Sequence, residues 1–524
     1  MGVPIPPQLR PGRVDVAIGS ALLIGVLLYH QASPHPLGYS DEGYFLVHVK
    51  RTLLGQAAYR DFHEQYTPIG YYLMAIPMFL FGANITTVTC TMAAVHGATL
   101  MLVYAAARSL GVGRWIAAAC GALYFSLCQP AWPMASGHWV AALFLVSILF
   151  VLCGARPGAP GRSGRLLLAG VMTGLLFGVQ HHKGPPIAAA VLAVIACDHL
   201  VAGRFGGIAV RTGLARSLAL YLVGAAGVGG LLLLALWMQS SVGELVDQLF
   251  LQVLRYAEVS EVSWGEIPTV VPGLGGGTIP ALLKYLPILL LLGAVRAALA
   301  HRAGGAGELR RLALLIFYCG GAAVSILYNA DFIHIAMVAA PFFVFLAETV
   351  QWGADRLGGR LGGVRFLRLP EAAFGLAILA GCVVHLQGVI ERATARFSYS
   401  ADTDFGRIDF ETANEVSLVA AVRRAMDQVP ERELVCYPHC ASMYLMTAAS
   451  NPTPYDLIFY PGYHRKEQLK EIIATIEERR LPYVVLMGLF LNPTDLVVRH
   501  VRRHYELIHP VREGTSGLYR RKSG

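Results

Sequence analysis

The chain has 524 residues, of which 55% are hydrophobic and only 14% charged, with a mean hydropathy of +0.53. That balance excludes an ordinary soluble protein of this length and reads as a polytopic α-helical membrane protein. The formal net charge of +9 does not indicate a nucleic-acid partner, because many of the basic residues fall in short loops on the side of a membrane that retains Lys and Arg and faces membrane lipids.

Apolar stretches of roughly the 20 residues needed to cross a bilayer recur near 14–30, 87–107, 115–131, 138–153, 166–180, 184–202, 217–238, 278–297, 312–328, 333–351 and 372–389. The reading is about eleven spans. Their orientation follows from the cations. Arg10, Arg13, Arg108, Arg114, Arg156, Arg162, Arg165, Arg204, Arg211 and Arg216, then Arg296, Arg302, Arg310, Arg311, Arg356, Arg360, Arg365 and Arg368, fall in one set of loops. The alternate loops carry only Lys50, Arg51, Arg60, Lys183 and Arg255. The first set is therefore predicted to be cytoplasmic and the second external. Thr67–Phe81 is short of span length and contains Pro68 and Pro77, so it is predicted to be re-entrant or interfacial. A cleaved leader at residues 1–35 is the alternative for the first segment, but no small-x-small site follows it.

An odd number of spans from a cytoplasmic N-terminus leaves the charged C-terminal part outside. Two domains are expected: 1–390 in the membrane and 391–524 as a small extracytoplasmic α/β domain. In the latter, Leu434–Tyr437 and Tyr483–Met487 read as strands and Arg465–Arg480 as a helix stopped by Pro482. His439 and His464 read as surface or packed histidines. Cys436 and Cys440 face an oxidising space, which permits a disulfide, but the sequence does not decide between a disulfide and two free thiols. The other seven cysteines lie in predicted spans and read as small packed side chains.

The first external loop is the most informative segment. Asp41 and Glu42 open it, Tyr44–Leu54 suits a helix in the interface plane, and the polar centre Arg60-Asp61-Phe62-His63-Glu64-Gln65-Tyr66 follows. Asp61, His63 and Glu64 are candidates for substrate contact. Asp41 or Ser40 also suits a helix N-cap, because a short polar oxygen accepts from unpaired backbone amides. Further along, His181-His182-Lys183 ends one span, Arg255 and Tyr256 sit in the 239–277 loop, and Asn329-Ala330-Asp331-Phe332-Ile333-His334 forms another polar turn. His182, Lys183, Arg255, Tyr256, Asp331 and His334 are candidates for binding substrate or phosphate. For the histidines and Lys183 the alternative is a headgroup belt, and for Asp331 a helix cap. No close ligand spacing supports a divalent metal.

An outward Asp-Glu after the first span, paired interfacial helices, the Tyr59-Arg60-Asp61-Phe62 and Thr67-Pro68-Ile69-Gly70-Tyr71-Tyr72 stretches and an external C-terminal domain resemble the integral-membrane GT-C glycosyltransferases. The likeness is to the branch of bacterial protein O-mannosyltransferases and aminoarabinose transferases of lipid A. It implies a multi-pass enzyme of the cytoplasmic membrane that takes a sugar from a polyprenyl-phosphate donor and gives it to a glycan, lipid or protein acceptor outside, with Asp41 as base and Glu42 beside it. Mannosyltransferases carry His-Pro-Pro where this chain has Gln65-Tyr66-Thr67-Pro68, so a glycan or lipid acceptor is expected ahead of a protein. Nucleotide sugars are made in the cytosol, so an external site needs a lipid-borne donor. A transporter or flippase, a lipid-linked-glycan polymerase or ligase, and a scaffold are the competing classes. No paired internal repeat of the kind common in transporters is visible.

Overall fold

A computed structural model describes residues 12–39, 41–206, 210–257, 270–272, 278–328, 331–360, 368–460, 464–488, 491–511 and 516–523. The membrane part is built from α1 (Arg13–Ala32), α2 (Asp41–Leu53), α3 (Ile69–Phe81), α4 (Ile85–Ser109), α5 (Arg114–Cys128), α6 (Gly137–Cys153), α7 (Arg162–Val179), α8 (Gly184–Gly206) and α9 (Val210–Gln239). Two short helices follow, α10 (Val242–Val246) and α11 (Gln252–Ala257), then the hairpin β1 (Val270–Pro272) and β2 (Thr278–Pro280). The bundle closes with α12 (Ile288–Arg302), α13 (Ala306–Val324), α14 (Phe332–Val338), α15 (Ala340–Arg360) and α16 (Arg368–Arg396).

Among the described residues, seven helices are long and apolar enough to cross a membrane, α12 counting with the turn before it as Leu283–Arg302, and the α14–α15 pair, bent by 66°, adds an eighth where the two form one span. The chain is a multi-pass membrane protein. Helices also occupy the other three stretches read as spans, but α5 and α6 have only 15 and 17 residues, and α13 carries Glu308, Arg310 and Arg311 near its start. Exposed Leu231, Trp237 and Met238 on α9 and Val383 and Val384 on α16 suit a lipid environment, where apolar surface carries no penalty. The 13-residue α3 buries Tyr71, Met74 and Met78 and exposes Ile76, Phe79, Leu80 and Phe81, so it is one-sidedly greasy and too short to span.

Local chemistry sets the helix ends. Asn84 Oδ1 accepts from Thr87 N at 2.9 Å to start α4, and Ser136 Oγ accepts from His138 N at 3.2 Å to start α6. α7 and α9 pack closely because Gly170 leaves no side chain between them: a Cβ there would lie 2.1 Å from the Tyr221 carbonyl oxygen.

After α16 come the hairpin β3 (Tyr399–Thr403) and β4 (Gly406–Phe410), then α17 (Ala413–Met426), β5 (Val435–Pro438), α18 (Ser442–Met446), α19 (Lys466–Glu478), β6 (Tyr483–Met487), α20 (Leu496–His504), β7 (Tyr505–Pro510) and β8 (Gly517–Arg521). The four-stranded sheet has the order β5-β6-β8-β7, with β5 parallel to β6 and the other pairings antiparallel. The two strands and the helix read from sequence are β5, β6 and α19. Cys436 and Cys440 are joined by a disulfide, and His439 and His464 are both buried. The sheet region touches the first loop directly. A Cβ on Gly43 of α2 would sit 2.3 Å from Ser442 N of α18, so only glycine allows this approach.

The charge-based topology has a direct test. A reporter fused after Arg114 is expected to read cytoplasmic and one fused after Lys183 external; an external Arg114 would overturn the layout.

Candidate active site

Helix α2 begins at Asp41, so that carboxylate stands at the end of the helix rather than along its side. Among the described residues no hydrogen bond ties it down. Ser40, the neighbouring candidate cap, lies outside the described residues. Asp41 lies on the wall of two cavities that share it. Its surface stays exposed at the helix end, but the protein crowded around the cavity walls displaces enough water to push its pKa up to about 6; His334 nearby lowers it and Asp331 raises it. Glu42 points elsewhere. Its Oε2 accepts from Gly38 N at 2.8 Å and its Oε1 from Ala135 N at 2.7 Å, so it ties two loops around the site. Burial raises it to about 7 against those two bonds.

The smaller cavity, about 190 Å³, is polar and aromatic, lined among others by Tyr66, Trp132, His138, Gln180, Tyr328 and His334. His138 meets His334 edge-on at 5.4 Å and Tyr66 at 5.5 Å between ring centres. Tyr328 lies 5.8 Å from His334, and its hydroxyl is 3.3 Å from His182 Nε2. Asp331 caps α14: its Oδ1 accepts from His334 N and pairs with His334 Nδ1, both at 2.8 Å. Burial works against its charge, but the bonds to His334 hold its carboxyl below the usual range. The cap reading of Asp331 therefore holds, and the residue lines the cavity as well.

Lys183 sits in the turn between α7 and α8, fully buried, and among the described residues its Nζ has no hydrogen-bond partner. Burial alone lowers its pKa to about 7. Its charge acts on His138, which lines the smaller cavity, and on His182, which does not, so Lys183 stands behind the cavity wall without lining it. A buried ammonium without a counter-charge is expensive, and an anion brought against it would restore its proton.

Asp61, His63, Glu64, His182 and Arg255 line neither cavity. Asp61 braces an exposed turn, pairing with Arg60 at 2.7 Å and accepting from Ala57 N at 2.7 Å. His63 packs against Tyr455 and His464, with ring centres 5.6 and 4.9 Å away. Arg255 pairs with Asp247 at 3.0 Å, and the side chain of Tyr256 lies outside the described residues, as does Asn329. Glu64 is buried with its acceptor sites occupied. Tyr44 and Tyr71 donate to it at 3.1 and 2.5 Å, Gln65 N and Tyr66 N at 2.7 and 2.8 Å, and His48 Nδ1 makes a short contact. These oxygens hold the loop together and leave little for a substrate.

His48 carries the link across. Its other nitrogen, Nε2, lies 3.1 Å from Asp456 Oδ2, which also pairs with Arg51 Nε at 3.0 Å. Arg51 reaches the Thr453 and Asn451 carbonyls at 2.7 and 3.2 Å. Both imidazole nitrogens face carboxylates, which only accept when ionised, so the ring is protonated. Burial opposes that charge, but Glu64 and Asp456 raise the His48 pKa overall. Among the described residues no three His, Cys, Asp or Glu side chains converge as a metal site.

No family model and no curated protein matches the sequence. Solved structures do. ArnT from Cupriavidus metallidurans in the apo state is 13% identical, with 96% of this chain and 97% of that one covered and a TM-score of 0.59. The same protein bound to undecaprenyl phosphate gives a TM-score of 0.55 at the same identity and coverage. An oligosaccharyltransferase from Archaeoglobus fulgidus is 12% identical, with 89% of this chain and 67% of that one covered and a TM-score of 0.49.

The chain shares the fold of ArnT. Sequence reasoning missed His138, Tyr66, Tyr328 and Gln180 as cavity residues. His138 had a readable signal, a histidine at the outer tip of a predicted span; the aromatic residues had none.

The contact between α2 and the C-terminal segment is testable by Asp456→Ala. Removing one carboxylate leaves His48 and Arg51 buried with a missing partner, a loss of about 3–5 kcal/mol, read as a lowered thermal midpoint and faster proteolysis after residue 396. The His48 share has a definite sign. Because its folded pKa is raised, that stabilisation is complete below its unfolded pKa and is lost as pH climbs through the folded one.

Proposed function

We propose that this chain is a glycosyltransferase that moves a sugar from a polyprenyl-phosphate donor to a glycan or lipid acceptor at the outer face of the cytoplasmic membrane, with Asp41 as general base. The observation that carries this reading is Asp41 itself: an untethered carboxylate, raised towards neutrality, on the wall common to two cavities. The proposed layout has eleven spans, a cytoplasmic N-terminus and an external domain from residue 391. The smaller cavity suits the sugar phosphate and the larger one the acceptor. ArnT offers a fold-level analogy for a polyprenyl carrier, since one of its structures is bound to undecaprenyl phosphate.

The acceptor hydroxyl oxygen attacks the anomeric carbon while the bond from that carbon to the phosphate oxygen breaks. The bonding pair leaves on the polyprenyl phosphate, and the hydroxyl proton passes to an Asp41 oxygen. Lys183, regaining its charge behind the cavity wall, stabilises the developing negative charge of the leaving group through its field rather than by contact. The histidines and Tyr66 orient the sugar.

With purified protein and a polyprenyl-phosphate sugar, Asp41→Asn is expected to lower turnover by about 10²-fold or more while donor binding persists. Unchanged turnover would reduce Asp41 to the first residue of a helix.

The pH profile of kcat/KM gives an independent check. A base must be deprotonated, so the rate should rise through about pH 6. Lys183 must be charged, so the rate should fall again above about pH 7. Lys183→Met is expected to remove the falling limb at a reduced overall rate; a falling limb that survives in this variant belongs to another group.

A further inference from the structure

The larger cavity, about 580 Å³, lies between the membrane helices and the C-terminal segment. Its deeper wall is apolar, formed by Ile85, Val88 and Met92 of α4, Val389 of α16 and Phe410 of β4. Its polar wall is acidic. Among the described residues, Asp41, Glu42, Asp409, Glu411 and Glu415 stand with one guanidinium, that of Arg396, a formal charge between −4 and −2 depending on the protons of Asp41 and Glu42, both raised towards neutrality. Burial lowers His439 to about 4, so it adds no charge near neutral pH, and His30 and His35 alone do not reverse the sign. Arg396 is itself engaged, with Nε and Nη2 at 2.8 and 2.7 Å from Glu411 Oε1.

The acids set the sign of the field but offer few open oxygens. Asp409 accepts from His35 N at 2.8 Å and Ser400 Oγ at 2.7 Å, Glu415 from Thr412 N at 3.1 Å, and Glu42 from two backbone amides. A cationic headgroup would therefore find no prepared cage of carboxylates. Gln129, in the helical turn directly after α5, is different. It lines this cavity, is 3% exposed, and among the described residues its amide oxygen has no partner. A buried amide without a partner costs free energy, and a hydroxyl, which both donates and accepts, satisfies it with either orientation of the amide. A fully ionised phosphate has no proton to donate to the amide oxygen, and it meets an acidic wall.

We infer that the acceptor is an uncharged, hydroxyl-bearing amphiphile of the glycolipid class, seated with its apolar body against α4 and α16 and its hydroxyl head between Gln129 and Asp41, and that phosphorylated lipids are excluded. This rests on the reading of Asp41 above and names the acceptor for the same site.

The test uses the full chain in phosphatidylcholine nanodiscs with two photoreactive probes sharing one dodecyl chain, a dodecyl glucoside and a dodecyl phosphate. The glucoside is expected to label peptides containing Val88, Met92 or Val389 at least about tenfold more than the phosphate, the discrimination expected from a like charge facing the acidic wall. Gln129→Leu should reduce glucoside labelling; the wild-type comparison stands by itself if that variant does not fold. Equal or stronger labelling by the phosphate, or glucoside labelling confined to other peptides, overturns the inference. Turnover of Asp41→Asn separates the two proposals. Selective labelling with unchanged turnover removes the base and keeps the acceptor class, while lost turnover without selective labelling removes only the acceptor class.

Discussion

The arrangement depends on one neutral knot of charge, His48 and Arg51 against Glu64 and Asp456, with two cations and two carboxylates in the dry space between the first loop and the C-terminal segment. Burying four ionised groups is costly unless each is paired and its remaining bonds are filled. Here they are filled: tyrosine hydroxyls and backbone amides complete Glu64, and Asn451 Nδ2 donates to Asp456 Oδ1 at 2.9 Å. The knot grips the middle of α2, and the glycine contact with α18 allows the two parts to close. Asp41 therefore starts a helix held along its length by groups that are not part of the proposed reaction.

Two aspartates with opposed environments share the smaller cavity. Asp331 gives its oxygen to the backbone and ring of His334 and stays ionised. Asp41, with no such bonds, is pushed towards a proton. Pairs of like groups driven apart in this way divide labour in many active sites, one staying charged while its neighbour exchanges protons near neutral pH. In this chain the division follows from the helix end each residue occupies, a cap in one case and the first turn in the other.

Much of the architecture was legible because it is written in local pattern. Span-length apolar runs, the short proline-bearing segment that became α3, and the continuously buried strands β5 and β6 are all features a window of residues carries. Asp41 stood out because an acid beside an apolar segment needs a reason. Glu64 shows the limit: it looked like a substrate ligand from its polar neighbours, but its partners include a histidine bridging to residue 456, a distance no local reading spans. Gln129 was invisible for the opposite reason. An amide at a helix end is ordinary until its neighbours leave its oxygen without a donor.

The distance between the partners in the knot also bears on how the molecule is made. His48 and Asp456 are 408 residues apart in the chain, so at 5–20 residues per second roughly 20–80 s of synthesis separates them. Through that interval α2 has emerged beside the membrane while the segment that clamps it does not yet exist. A nascent chain thus carries the acidic residue without a finished pocket, and the last quarter of translation acts as a timer that withholds a working centre until the whole polypeptide is present.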